Sequence, residues 1–448
     1  MNSGNTIMQK NEYHHYIPRF ILRNFAIDNY ERVFTNNRKL FSQKQKFWKS
    51  KRKGEFLQTY DRANNQLGTS LIARIYGDTN MYEDLNNNDT MHVEKKLAIL
   101  EERASKVVRD IIETSQIKSQ IVLFRKNLAD LRKFLFIMNY RKPYRRNQFA
   151  DKRFDIATWS MVESFMQEHN LQNSREVWLQ NVREIIDTPH ENVNDNTKIF
   201  PVDRMDYRLR MIDCFVAIWQ AGDNDEFIMT SNAFGIFEGI NLKIPMQMGG
   251  PFQKAFHYFY VISPKLALVL CDSGFREGVG FETLDKFLGS KHRSHFQNVP
   301  HPPPIPEYVG LKDGKVNPNK DLDEPFDWRK YDNTFEWWAN QVGFKTKDND
   351  KFTITFVKVN SATVHLVNSI VLNEANPDLQ VSFLSLPYLY KTIVKYNKNV
   401  KKIDKFTPQN FSNMKRTLFM ALNRTHEEDL NLRNNISGGN RYWNFMQI

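Results

Sequence analysis

Cysteine is nearly absent. Cys214 and Cys271 are the only thiols in 448 residues, and each lies in an apolar run. That excludes a disulfide scaffold and predicts a reducing compartment, cytoplasmic or nuclear. Zinc patterns built on paired cysteines are missing with it. Long apolar runs are missing too: the longest stretch, Ala255 to Cys271, is broken by Pro264-Lys265 and is too short to cross a bilayer, so no membrane partner is expected. Residues 1–12 are polar and lack the apolar segment of a secretory signal. No glycine-rich phosphate loop, dinucleotide fingerprint or serine elbow occurs, and no repeat of fixed period. Acid is absent locally. Between 38 and 53 stand Arg38, Lys39, Lys44, Lys46, Lys49, Lys51, Arg52 and Lys53 without one Asp or Glu, interleaved with Phe41, Phe47 and Trp48.

What is present argues for a folded chain. The sequence is 41% hydrophobic with 34 phenylalanines, enough to close a large core. The net charge of +12 is compatible with a polyanionic partner without demanding one.

The apolar spacing changes period along the chain. Val93, Leu97, Leu100, Ala104, Val107, Val108 and Ile111 predict an amphipathic helix capped by Asp89 or Thr90. Ile121 through Met138 predicts a second helix, stopped ahead of Pro143. Helices follow at 151–169 and 174–187. Another opens at Asp203, carries Leu209, Ile212, Phe215, Val216 and Trp219 on its apolar face, and ends at Gly222. Strands are predicted at 56–61, with a turn over 62–68, and at 226–231, 235–238, 257–262, 266–271 and 352–357. Helices at 362–374, 387–397 and 408–424 close the chain.

The fold class is therefore α+β: a helical lobe, a small mostly antiparallel sheet and closing C-terminal helices. The domain reading is a polar tail over 1–12, a single α+β domain over 13–425 and a C-terminal tail over 426–448. Within the domain, 13–90 is the motif and basic loop, 91–222 the helical lobe, 223–297 the sheet, 298–350 a proline-rich insertion, and 351–425 a strand and helices.

The most informative segment is His14-His15-Tyr16-Ile17-Pro18-Arg19-Phe20-Ile21-Leu22-Arg23-Asn24-Phe25-Ala26. Pro18 suits the first turn of a short helix. Arg19 and Arg23 then share one face, while Phe20, Ile21 and Phe25 pack inward. An alternating, strand-like reading would put His15, Ile17, Arg19, Ile21 and Arg23 on one side; the proline favours the helix.

This segment, Tyr60-Asp61, Arg141-Lys142-Pro143, the run Phe227 to Asn232 and Ile262-Ser263-Pro264 come in an order that resembles the domain-of-unknown-function family 4238. Its members tend to open on His-Tyr-Val/Ile-Pro-x-Phe-x-Leu-x-Asn-Phe, which residues 15 to 25 match closely. The resemblance covers roughly 13–400, and Val381 to Ser385 is similar to the longer fungal-type members. Two departures stand out. Lys142 occupies the middle of the Arg-x-Pro element, and Thr230-Ser231-Asn232 lacks a carboxylate that the family often carries. The resemblance implies a fold neighbourhood and assigns no activity.

Three functional classes follow. The first is an anion-recognition module, plausibly for nucleic acid or another polyanion. Its anion-binding residues are Arg19, Arg23, Asn24, Arg141, Arg145 and Arg146, and its nucleic-acid loop is Lys46, Trp48, Lys49, Lys51, Arg52 and Lys53, cations beside stacking faces. The second is a metal-assisted phosphodiesterase with His14 and His15 as base or ligand and Asp61 as carboxylate. A neutral imidazole near a helix N-terminus suits either role. The histidine-asparagine-histidine nuclease signature is nevertheless incomplete, because no histidine occurs between 16 and 91. The third is structural or protein-interacting: His15 bonds a carbonyl and the arginines pair with acids. His292, His295 and His301 lie among basic residues and prolines with no carboxylate near them in sequence, and read as a solvated loop. The two thiols read as inert, Cys214 on a helix and Cys271 in a strand. No metal site and no cofactor are predicted.

Overall fold

The computed structural model describes residues 12–27, 55–84, 87–232, 234–242, 252–275, 294–308, 346–374, 380–400 and 409–423. The basic run 38–53, His292, Thr407-Pro408 and most of the proline-rich insertion lie outside them.

The architecture is α+β. The opening motif forms β1 (Tyr13–His15) and a four-residue helix α1 (Arg19–Leu22), continued by a single 3-10 turn over Arg23–Phe25. β2 (Phe56–Asp61) and β3 (Gln66–Leu71) make a hairpin, and β4 (Gly77–Thr79) returns to pair with β1. Then come α2 (His92–Ser115), β5 (Gln120–Phe124), α3 (Arg125–Tyr140), α4 (Pro143–Ala150), α5 (Ile156–Glu168), α6 (Ser174–Asp187) and α7 (Pro201–Tyr207). The strands β6 (Cys214–Ala221), β7 (Met229–Thr230), β8 (Phe234–Leu242), β9 (Phe252–Ser263) and β10 (Leu266–Asp272) follow. The remainder is β11 (Ile305–Glu307), β12 (Lys351–Val359), α8 (Ser361–Asn373), β13 (Gln380–Phe383), α9 (Leu386–Val400) and a helix α10 over 412–423.

The main sheet runs β11-β12-β6-β10-β9-β8, with β5 also on β12. Only β12 and β6 are parallel within it. A second sheet, β3-β2-β13-β7, joins the first hairpin to the C-terminal region. One apolar cluster fills the space between helices and sheets, from Ile17, Leu22 and Phe25 through Trp178 and Trp219 to Leu418. No described helix is long and apolar enough to cross a membrane.

Most predicted elements appear, with three physical corrections. The helix expected from Ile121 begins only at Arg125. Gln120–Phe124 alternates exposed and buried and adds to the β12 edge, so tertiary pairing overrides its helical spacing. The helix expected to reach Gly222 ends at Ile212 after a short π turn. Cys214–Ala221, with all but one residue buried, lies inside the sheet, covered on both faces, where its apolar run carries no period. Cys214 is thus a strand residue. At α2 the cap position is Met91, whose N–H donates to the Asp89 carboxylate.

Candidate functional site

Pro143 sets the geometry of the first candidate site. The residue before proline avoids the helical region, and Lys142 is extended (φ −56°, ψ 150°), ending α3 and serving as the N-terminal boundary of α4. That single turn sends the neighbouring cations to different places. Arg141 is buried and donates from Nη1 to Glu101 at 2.7 Å and from Nη2 to the Met138 sulfur. Burial opposes its charge, but Tyr82 and Glu101 outweigh it and hold its pKa above the ordinary value. Lys142 instead lines a cavity of about 940 Å³ between the helical lobe and the sheet.

The cavity also takes Arg145 and Gln148 from α4, Asp206 at the end of α7, Arg210 from the turn after it, Asn232 after β7 and Gly235 from β8. Met161, Met205 and Phe237 are among its apolar lining. Arg145 is paired with buried Asp203, and its guanidinium stacks 4.9 Å from the Phe149 ring. Arg210 donates to Asp206 at 2.6 Å and to the Gly235 carbonyl, and lies over Tyr258. The Lys142 ammonium has no hydrogen bond or ion pair among the described residues. Burial, then the Arg210 charge, lower its pKa to about 7. An amine so placed is half charged near neutrality and open to an anion.

The opening motif behaves differently. His14 is 4% exposed; among the described residues neither ring nitrogen has a hydrogen-bond partner, and Nε2 lies 3.9 Å from the Glu12 carboxylate. His15 holds the Ile75 carbonyl through Nδ1 at 3.1 Å. Burial is the main cause lowering its pKa to about 4, helped by Arg19 and Arg141. Its neutrality is therefore a consequence of burial, and a helix as short as α1 has little dipole to add. Asp61 accepts from the backbone and side chain of Asn64 and shapes the β2–β3 turn. No hydrogen bond or ion pair joins it to His14 or His15 among the described residues. Of the arginines expected to hold an anion, Arg23 pairs with Glu55 at 2.9 Å, Arg146 with Asp78, and Arg141 with Glu101. Asn24 donates to the Ile262 carbonyl at 2.9 Å. Arg19 is exposed. Only Arg145 of that set reaches the cavity. Lys46, Trp48, Lys49, Lys51, Arg52 and Lys53 lie outside the described residues.

The family described as "Protein of unknown function (DUF4238)" matches residues 13–383. The chain belongs to the DUF4238 family. No curated protein and no solved structure matches it. The elements that carried the DUF4238 resemblance interlock in space. The opening motif is tied to Ile262 by Asn24, and Lys142 and Asn232, from two further motifs, line one cavity.

Sequence reasoning missed Lys142 and Arg210 as site residues. Lys142 stood in a basic cluster after a helix, where cations are ordinary. Arg210 stood within a helix predicted to continue to residue 222. The early turn into β6 was the missing information.

The loop histidines require a correction. His295 and His301 do not stand in a solvated loop without a carboxylate. His295 meets Glu238 through both its backbone N–H and its ring, and the His301 ring reaches His257 at 2.7 Å.

Proposed function

We propose that the cavity around Lys142 binds a small anionic ligand, a phosphate or carboxylate carried on an apolar body. The observation that carries this reading is the ammonium of Lys142, unpaired among the described residues, inside a concavity that also holds two guanidinium groups and the carboxylates of Asp206 and Glu374. An unpaired, partly buried cation is costly, and an incoming anion removes that cost while the rest of the ligand covers methionine and phenylalanine surface. Asn139, Asn232 and Gln148 supply neutral polar groups for orientation. A volume of about 940 Å³ suits a metabolite-sized molecule. This reading retains anion recognition from the sequence but places it in a cavity, not on an exposed basic surface.

Isothermal titration with inorganic phosphate, phenyl phosphate and benzoate tests it. The two aromatic anions are expected to bind with one-to-one stoichiometry. Lys142→Met should weaken them at least about tenfold, the scale of one charge-assisted contact. Arg19→Gln and Arg23→Gln should leave binding unchanged. No binding of either aromatic anion, or equal binding by Lys142→Met, overturns the proposal.

A further inference from the structure

A second constellation lies away from that cavity, on one face of the main sheet. Glu238 on β8 stands directly opposite His257 on β9, and His257 directly opposite Cys271 on β10. Residues directly opposed across antiparallel strands share a face, so three adjacent strands present a carboxylate, an imidazole and a thiol in one row. The β8–β9 register slips immediately after Glu238, where Gly239 faces Ala255 and Phe256 is the extra residue. Such bulges re-aim neighbouring side chains. From above, the segment after Ser294 lays His301 onto the row, its ring stacked on Phe275 with centroids 4.2 Å apart.

The hydrogen bonds fix which atoms face each other. Glu238 is fully occupied: it accepts from His257 Nδ1 at 3.0 Å, from Ser294 Oγ at 3.0 Å and from the His295 backbone at 2.9 Å. A carboxylate on Nδ1 leaves the Nε2 lone pair of His257 outward. That atom is 2.7 Å from His301 Nε2. With Nε2 turned to His257, Nδ1 of His301 is the atom left for its backbone hydrogen bond to Val299. The two Nε2 atoms thus face each other at hydrogen-bond distance, and a metal cation between them would take a lone pair from each. Cys271 completes the group: its sulfur and one ring nitrogen of each histidine lie within 4.8 Å of one another.

We infer that His257, His301 and Cys271 form a zinc-class metal site, with Glu238 as the positioning residue that orients His257. Two imidazoles and one thiolate are a donor set that zinc accepts, with a fourth position left for water or another ligand. Tetrahedral zinc at about 2.0–2.1 Å from each nitrogen needs the two Nε2 atoms about 3.3 Å apart. His301, carried on a loop segment outside any strand ladder, supplies that small movement. On binding, Cys271 gives its proton to solvent and becomes the thiolate ligand. Glu238 on Nδ1 of His257 is placed as the carboxylate of a carboxylate-histidine-metal relay.

The test uses the full-length protein, stripped with a chelator and titrated with Co2+ alone. One equivalent is expected to bind, giving tetrahedral-type visible bands and a thiolate-to-cobalt charge-transfer band in the near ultraviolet, both abolished by Zn2+. Cys271→Ser should remove the charge-transfer band. His301→Ala, a change at a partly exposed loop position, should weaken Co2+ at least about tenfold, in line with the loss of a ligand or its support. A wild-type protein that shows no charge-transfer band would falsify the site without recourse to any variant. A band that persists in Cys271→Ser, or unchanged affinity in His301→Ala, overturns the ligand assignment.

Discussion

Tyr140 donates its hydroxyl to the Asp203 carboxylate at 2.9 Å, and Asn181 donates to both of them at 2.8 Å. Asp203 also holds Arg145, so one buried carboxylate, 1% exposed, joins α3, α4, α6 and α7 behind the cavity wall. Asp203→Asn keeps the shape and removes the charge, leaving Arg145 without its counter-ion. Breaking a buried pair from one side costs roughly 3–5 kcal/mol, and the partly open position of Arg145 places the expectation at the lower end, about 3 kcal/mol. Urea unfolding of the variant checks this, and ligand binding in the cavity should weaken with it. A loss below about 0.5 kcal/mol, the size of an ordinary surface change, contradicts the linkage.

Lys142 predicts a pH dependence with a definite sign. Its pKa is about 7 in the fold, against 10.5 for an ordinary lysine. Between those values the unfolded chain holds more protons on this residue than the native one does. Its contribution to stability therefore rises with pH through that window and is smallest below about 7. The comparison that isolates it is wild type against Lys142→Met in urea across the window: the stability gap between them should narrow as pH rises. Anion binding runs the opposite way. Only the charged amine attracts the ligand, so affinity should fall as pH climbs through about 7, with proton uptake on binding. Calorimetry in two buffers of different ionisation heat reads that uptake.

His15 makes the opposite end of the pH range sensitive. Burial lowers its pKa from 6.5 to about 4. As pH falls below 6.5 the unfolded ring takes up a proton that the folded ring refuses, so stability drops progressively until about pH 4. A full shift of this size corresponds to about 3 kcal/mol at most, and partial solvent access reduces it to about 1–2 kcal/mol. His15→Asn keeps a donor for the Ile75 carbonyl without a titratable ring. Acid unfolding followed by circular dichroism should show a shallower slope for this variant over that interval.

Periodic and punctuated segments of the fold were readable in the sequence. The seven apolar positions from Val93 to Ile111 all face the core of α2, and Phe56–Asp61 forms the strand it was expected to form. Legibility failed where an apolar run carries no period, as at Cys214–Ala221, and where an edge pairing overrode spacing, as at Gln120–Phe124. The sites were less readable because they are assembled across long separations. Glu238, His257, Cys271 and His301 meet only through strand register and a loop laid over the sheet. Each alone looks like an ordinary strand or loop residue. The opening motif looked like a site because it concentrates rings and guanidinium groups. His15 and Asn24 are engaged by backbone carbonyls and Arg23 by Glu55, and the motif closes the structure.

That closure crosses nearly the whole chain. Asn24 is fastened to Ile262, Tyr76 to Ser382, and β2 lies against β13. A ribosome must therefore deliver nearly three-fifths of the polypeptide before Asn24 meets its final partner, and more than four-fifths before β2 does. Until then Ile17, Ile21, Leu22 and Phe25 present a greasy ridge to solvent or to a chaperone. Loop-closure entropy sets in early while the reward arrives late, so folding should be slow and vulnerable to premature termination. The opening motif would then be a latch that engages late.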